Sequence, residues 1–338
     1  MVKQGPDAFY RGPVAQKIVN AVQADGGLMT LADLAAYKVS FREPVTGSYR
    51  GYKIVSASPP SSGGPHVIEL LNIMENFDLK KMGLNTVQSI HAWAEAMKLM
   101  YADRSKYMGD SDYVQVPVLG LTSKQYARER FALIDMNSPM TLAPSGDPWP
   151  GDSGSTTHFS VTDAAGNMVA YTKTINHFFA SGITVPGTGI LLNDQMDDFD
   201  KRPGQANSIA GGKKPLSSMS PTLLLKDGEP VMTIGSPGGK RIITTVAFLI
   251  SNLIDYDMDI QAAINVPRVN NYESGPLKME SRIPLDVRKA LERKGHTLVI
   301  KKEFDLYFGG AQGIVIDQNS GEMHGGADPR RDGRAVGY

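Results

Sequence analysis

An α/β sandwich of four layers is the fold this sequence predicts, and three observations predict it. The first half of the 338 residues reads mostly as helix, with apolar side chains recurring at helical spacing. The second half changes to alternating runs separated by Gly/Asn and Asp-Gly turns, the pattern of antiparallel strand pairs. Helices follow those runs as well as precede them, so both faces of the strands can be covered. An apolar content of 41% supports a real buried core.

The elements follow in order. Val14, Ile18 and Val22 mark a first helix, which Gly26-Gly27 stops. Leu31 to Tyr37 reads as a second helix, Tyr49 to Ser56 as a strand, and "SPPSSGG" as a rigid turn. His66 to Phe77 reads as amphipathic. Thr86 to Tyr107 is the longest helix, with Ile90, Trp93, Met97, Met100 and Tyr101 on one stripe. A shorter helix spans Ser123 to Ile134. Asn137 to Ser155, rich in Pro, Gly, Ser and Asp, reads as an exposed linker. "THFSVTD", "AAGN" and "MVAYTKTIN" form a hairpin, and "GILLND" adds a strand. "TLLLKDGEPVMTIGS" is a strand pair turning at Asp227-Gly228, and a helix runs from Gly239 to Ile254. "VRKALERKGH" is a helix stopped by Gly295, and "LVIKK" and "QGIVIDQNSGEMHGGA" close with strands.

Thirty-five basic and 35 acidic residues cancel, which argues against nucleic acid or an anionic membrane as the main partner. The longest apolar run, Val246 to Ile254, is half the length a membrane span needs. The absence of cysteine excludes disulfides, a thiol nucleophile and cysteine-ligated metals. None of the six histidines sits in an HExxH or similar spacing, so no metal or other cofactor is expected. "MVKQGPDAFYRG" has no signal-peptide pattern.

Four stretches could carry chemistry. In "GDSGSTTHFS" a Gly/Ser connector runs straight into Thr156 at the start of a strand. A threonine hydroxyl needs a base, and its own α-amine can serve once the bond between Ser155 and Thr156 is cut. A loop leading into a strand is the plainer reading. In "GSPGGKRIITT" Gly238 and Gly239 stand between a strand and a helix, where free N–H groups could hold an oxyanion. A tight turn is the alternative, while the spacing excludes a phosphate-binding P-loop. Ser217 and Ser218 in "KKPLSSMSP" could bond a carboxylate or cap a turn. Gln195 and the acids of "NDQMDDF" could hold an ammonium or form a solvated loop.

Taken together, "TTHFSVTDAAGNMVAYTKTIN", "GILLNDQMDDF", "KPLSSMSPTLLLKDG" and "GSPGGKRIITT" resemble the small subunit of the γ-glutamyltranspeptidase family. "DAFYRG", "MTLADLAAYKV" and "PPSSGG" look like the later part of its large subunit, and "ADPRRDGRAVGY" like its C-terminus. The resemblance implies an N-terminal-nucleophile hydrolase with an αββα sandwich. It implies self-cleavage between Ser155 and Thr156, giving a large-subunit-like segment 1–155 and a small-subunit-like segment 156–338 that stay associated. Thr156 would attack γ-glutamyl compounds such as glutathione, and water or an amine, amino-acid or peptide acceptor would release the γ-glutamyl-enzyme. Thr174 would support the nucleophile, and Gly238 and Gly239 would form the oxyanion hole. Asn176, Gln195 and Asp198 would hold the donor's α-amino group, and Ser217 and Ser218 its α-carboxylate. His158, on the same strand face as Thr156, is expected to be a structural hydrogen-bonding residue. The family also implies a periplasmic or secreted protein.

Two departures from the family pattern accompany this. No segment matches the family's early part, which supplies an arginine for the donor carboxylate, so an N-terminally truncated sandwich with an open apolar surface is expected. The segment between Asp198 and Ser217 is short and lacks an aromatic after Phe199, so an open site admitting bulkier substrates is expected. A related acylase, a poly-γ-glutamate processing enzyme and an inactive fragment are the competing readings.

Overall fold

The computed structural model describes residues 5–144 and 156–338, which form two compact units. The first unit comprises Met1–Glu43 with Ile175–Gln195. Its helices are Asp7–Tyr10, Pro13–Ala24 and Leu31–Ala36. Proline at the first position starts the second, where a missing N–H costs nothing. Thr30 and Asp33 form a reciprocal cap on the third. Two short paired strands, Thr184–Val185 and Ile190–Leu191, complete the unit, and Lys17 Nζ donates to the Gly187 carbonyl at 3.2 Å.

The second unit comprises Pro44–Thr174 and Met196–Tyr338. Its main sheet has six antiparallel strands in the order Val45–Tyr49, Tyr52–Ser56, Thr222–Lys226, Glu229–Gly235, Gln312–Ile316 and Met323–Ala327. Helices Gly63–Met74, Arg241–Asp255 and Ile260–Asn265 cover one face. The hairpin Thr156–Thr162/Met168–Thr174 covers the other, packed on strands Glu229–Gly235 and Gln312–Ile316. The two-residue side-chain period of a strand explains this split. Ile234 meets the helical side, near Gly313 and Ile260, while the hydroxyl of the preceding Thr233 donates to the Val169 carbonyl of the hairpin. The layers therefore run helix, sheet, sheet. The hairpin's outer face carries Phe159, Val161, Val169 and Tyr171, each about half exposed. A separate three-stranded sheet joins Val269–Asn270, Leu277–Glu280 and Leu298–Lys301, the last two in parallel.

Three expectations need correction. Tyr49 to Ser56 is not one strand but the end of one strand, a tight turn at Arg50-Gly51, and a second strand. Arg50 adopts φ 49°, and its Nε donates to Asp255 Oδ1 at 3.0 Å, which holds the turn. The segment read as amphipathic is the helix Gly63–Met74, buried on every side. Its polar residues are inside, where only a tertiary contact could place them. The linker expected from Asn137 is in part packed: Ala143 is buried and its N–H donates to the Glu273 carbonyl at 3.1 Å. Residues 145–155, which hold the rest of that linker and the Ser155 side of the expected cut, lie outside the described residues.

The helices bury titratable groups. His66 Nδ1 lies 2.5 Å from Glu69 Oε2, and Asp103 pairs with Arg130 at 3.0 Å at an angle that misses a hydrogen bond. Burial pushes Glu69 up to about 8; burial and the neighbouring Glu69 push Asp103 up to about 8. These adjacent carboxyls keep a proton that the unfolded chain gives up near pH 4. Their contribution is present below that value and lost as pH rises through about 8. Burial pulls His66 and His296 down to about 3 and His158 to about 4. Those imidazoles are neutral in the fold, so stability also falls as pH drops from about 6.5, where the unfolded chain takes up protons. Thermal stability should therefore peak at near-neutral, slightly acidic pH. Glu69→Gln should flatten the alkaline side in melting curves from pH 5 to 9, and an unchanged slope would contradict the assignment.

The structure also assembles a trio that sequence spacing did not show: His91, Glu95 and His296. Its side chains are already engaged with protein partners. The Asp135 carbonyl, 2.9 Å from His91 Nε2, forces the proton onto that nitrogen, so His91 Nδ1 accepts from His296 Nε2 at 2.7 Å. Glu95 accepts from Lys98 Nζ at 2.8 Å and from the Met140 N–H at 2.7 Å. The trio is thus a hydrogen-bonded clamp between helix Val87–Tyr107, the Met140 segment and the end of helix Leu285–Lys294.

Candidate active site

Thr156 opens its strand opposite Thr174, and their hydroxyls are 3.1 Å apart. β-branched residues suit a pleated strand, and the pairing register sets both side chains on the same face. Thr156 is 9% exposed. Its carbonyl accepts from Arg331 Nη1 at 3.4 Å. His158, two residues on, lies on the same face and spends both nitrogens. Ser160 Oγ donates to the Thr233 carbonyl at 3.2 Å, so His158 Nε2 donates to Ser160 at 3.2 Å and Nδ1 accepts from Thr172 Oγ1 at 2.8 Å. Burial keeps this ring neutral. It ties the hairpin to the main sheet rather than standing free to move protons.

Strand Glu229–Gly235 leads into Gly238 (φ 136°) and Gly239 (φ 59°) before helix Arg241–Asp255 begins. These positive φ values delay the helix by two residues relative to the sequence reading. Gly238 presses on Gly309, where an added Cβ would sit 3.0 Å from the Cα. No side chain caps this helix N-terminus, and neither glycine N–H has a hydrogen-bond partner among the described residues. Two adjacent unspent donors, at a turn only glycine tolerates, suit an oxyanion.

Ser217 and Ser218 are clamped by the "SPPSSGG" loop. The Ser62 N–H and Oγ both bond the Ser217 carbonyl, at 2.8 and 2.7 Å, and the Ser217 N–H returns to the Pro60 carbonyl at 3.0 Å. Ser61 Oγ donates to the Met219 carbonyl at 2.6 Å. Ser217 Oγ accepts from the Met219 N–H at 3.2 Å, and Ser218 Oγ accepts from Arg104 Nη2 at 2.7 Å. Each hydroxyl therefore keeps its own proton to donate. Tyr101, one turn before Arg104, donates to the Lys240 carbonyl at 3.1 Å, so a single helix tethers both the serine pair and the glycine turn.

Asn176 and Gln195 belong to the first unit, and Asp198 to the second. Asn176 has φ 75° and its Nδ2 donates to the Asp194 carbonyl at 3.4 Å. His177 Nδ1 and Asp194 Oδ2 lie 2.5 Å apart beside it. Gln195–Asp198 forms one 3₁₀ turn, and Asn207 Nδ2 donates to the Asp198 carbonyl at 2.7 Å. The loop after Phe199 does meet an aromatic, but from elsewhere in the chain: Tyr113 Oη donates to the Gly211 carbonyl at 3.1 Å. Sequence reasoning missed Ser62, Arg104 and Arg331 altogether. The one available signal was a "PPSSGG" loop too polar for a buried turn.

Comparisons with known proteins bear on the family and the fold. A family model described as gamma-glutamyltranspeptidase matches residues 1–338. The glutathione hydrolase proenzyme of Escherichia coli (strain K12) is 44% identical over 352 residues, covering 100% of this chain and 60% of its own length. The acylase ACY 1 proenzyme of Pseudomonas sp. (strain SE83) is 42% identical over 335 residues, covering 98% of this chain and 58% of its own. The chain thus spans about 60% of the length of such relatives. A crystal structure of cephalosporin acylase from Bacillus halodurans superposes with a TM-score of 0.89 at 31% identity, over 99% of this chain and 60% of that one. The fold is the α/β sandwich of the N-terminal-nucleophile hydrolases, and the chain belongs to the γ-glutamyltranspeptidase family.

Proposed function

We propose that this chain carries the catalytic centre of a γ-glutamyl hydrolase or transferase that matures by cutting itself between Ser155 and Thr156. The observation that carries the reading is the Thr156–Thr174 hydroxyl pair at 3.1 Å at the very start of a core strand. Once residue 155 is released, the new α-amine of Thr156 takes the hydroxyl proton. The Thr156 oxygen attacks the donor's γ-amide carbon, and the Gly238 and Gly239 N–H groups receive the oxyanion. The amide nitrogen leaves with the proton, forming a γ-glutamyl ester. Water or an amine then attacks that ester and restores Thr156. Ser217 and Ser218 hold the donor's α-carboxylate; Asn176, Gln195 and Asp198 hold its α-amino group. In this reading residues 1–155 and 156–338 become two chains. The Ser62–Ser217 and Arg104–Ser218 bonds then join them across the cut. Kinship suggests a periplasmic or secreted setting.

Acylase chemistry is the second reading, favoured by relatives named as acylases. It uses the same nucleophile on a different acyl group. A direct test compares γ-glutamyl-p-nitroanilide with its glutaryl counterpart, which lacks the amino group. The γ-glutamyl reading predicts a preference of at least about tenfold in kcat/KM for the first, since a site built to bond an amine is left unpaired without it. A preference for the glutaryl compound would favour the acylase.

A further inference from the structure

Arg104 is buried, yet among the described residues no carboxylate lies within ion-pair reach of it. Buried guanidinium groups are normally paired, because an uncompensated charge in the interior is costly. Its sequence neighbour Asp103 is committed to Arg130. Arg104 instead spends its donors on hydroxyls, Nε on Ser62 Oγ at 2.9 Å and Nη2 on Ser218 Oγ at 2.7 Å. Both bonds set the direction of a proton. Ser62, accepting from Arg104, passes its own O–H to the Ser217 carbonyl. Ser218, accepting from Arg104, has no acceptor for its O–H among the described residues. Ser217 is in the same state, accepting from the Met219 N–H. The outcome is two adjacent hydroxyl donors backed by one uncompensated positive charge. That is a receptor for an anion, and a carboxylate's two oxygens can accept from two O–H donors.

We propose that Arg104 is a positioning residue for the donor's carboxylate, acting through Ser218, whose proton it turns outward, and adding the charge that the carboxylate neutralises. The inference rests on the γ-glutamyl reading above. Arg104's positive charge also adds to burial in holding neighbouring His66 in its neutral form. Lysine cannot replace the guanidinium here, because one ammonium does not reproduce the two fixed donor directions toward Ser62 and Ser218.

The test uses two donors, γ-glutamyl-p-nitroanilide and 4-aminobutyryl-p-nitroanilide, which lacks only the α-carboxylate. Removing a charge-assisted contact should raise KM for the first donor about tenfold to a hundredfold in Arg104→Gln, with kcat/KM for the second changed less than about threefold. Arg104→Lys should recover only part of the loss. Equal losses on both donors, or an unchanged preference for the carboxylate, would overturn the role of Arg104 while leaving the γ-glutamyl reading intact. Turnover of neither donor by the unaltered protein would overturn both. If Arg104→Gln lacks a melting transition, Arg104→Lys and Ser218→Ala are compared singly and together. Acting through Ser218 predicts that the lysine change adds almost nothing once Ser218 is gone, and additive losses would overturn the proposal.

Discussion

Thr156→Ala is expected to leave γ-glutamyl turnover at background, a loss of at least ~10⁴-fold, because the variant has neither the attacking oxygen nor the ester it forms. The hydroxyl faces Thr174 at 3.1 Å inside a paired strand, so the change removes one methyl-sized contact and one hydroxyl but leaves the register in place. Circular dichroism should accordingly stay close to that of the unaltered protein. Thr156→Ser keeps the oxygen and should retain measurable turnover, lowered by the greater rotamer freedom of serine. Thr174→Val removes the partner hydroxyl at nearly constant volume and should cost about tenfold to a hundredfold in kcat, the worth of one hydrogen bond to a reacting group. Substantial turnover by Thr156→Ala would place the nucleophile elsewhere.

Gly238→Ala is the second large effect. At φ 136° a side chain is strained whatever the space, and the new Cβ would also come within 3.0 Å of the Gly309 Cα. The backbone must rotate, and the Gly238 and Gly239 N–H groups rotate with it. Loss of one oxyanion donor typically costs about 10²–10³-fold in kcat, and kcat should fall here by that order with KM little changed. The strain itself costs about 1–3 kcal/mol of stability, read as a lower melting temperature. A variant that melts lower but keeps its kcat would show that these N–H groups do not face the reacting carbonyl.

Much of this was legible because the local chemistry was unambiguous. Asp227-Gly228 demanded a hairpin, and both residues do adopt positive φ. Gly295 stopped its helix in the left-handed conformation. The Gly/Asn turn marked the hairpin, the family resemblance set Thr174 beside Thr156, and the structure pairs them in a seven-pair register. What could not be read depends on contacts far apart in sequence. The turn at Arg50 is held by Asp255, some 205 positions on, so nothing local marks it. Helix Gly63–Met74 lost its expected polar face because another helix and the sheet bury it from several sides. Arg104 lies in the last turn of helix Val87–Tyr107, where basic residues are ordinary. Only the fold brings Ser62 and Ser218 to it, 42 and 114 positions away.

The central claim is that Thr156 becomes a new N-terminus. Intact-mass spectrometry of the purified protein, beside Thr156→Ala, tests it most directly. Self-cleavage gives two masses that sum to the chain plus one water and meet between Ser155 and Thr156, with the variant remaining a single uncut chain. One uncut mass for both proteins, or a cut that persists in Thr156→Ala, would contradict it.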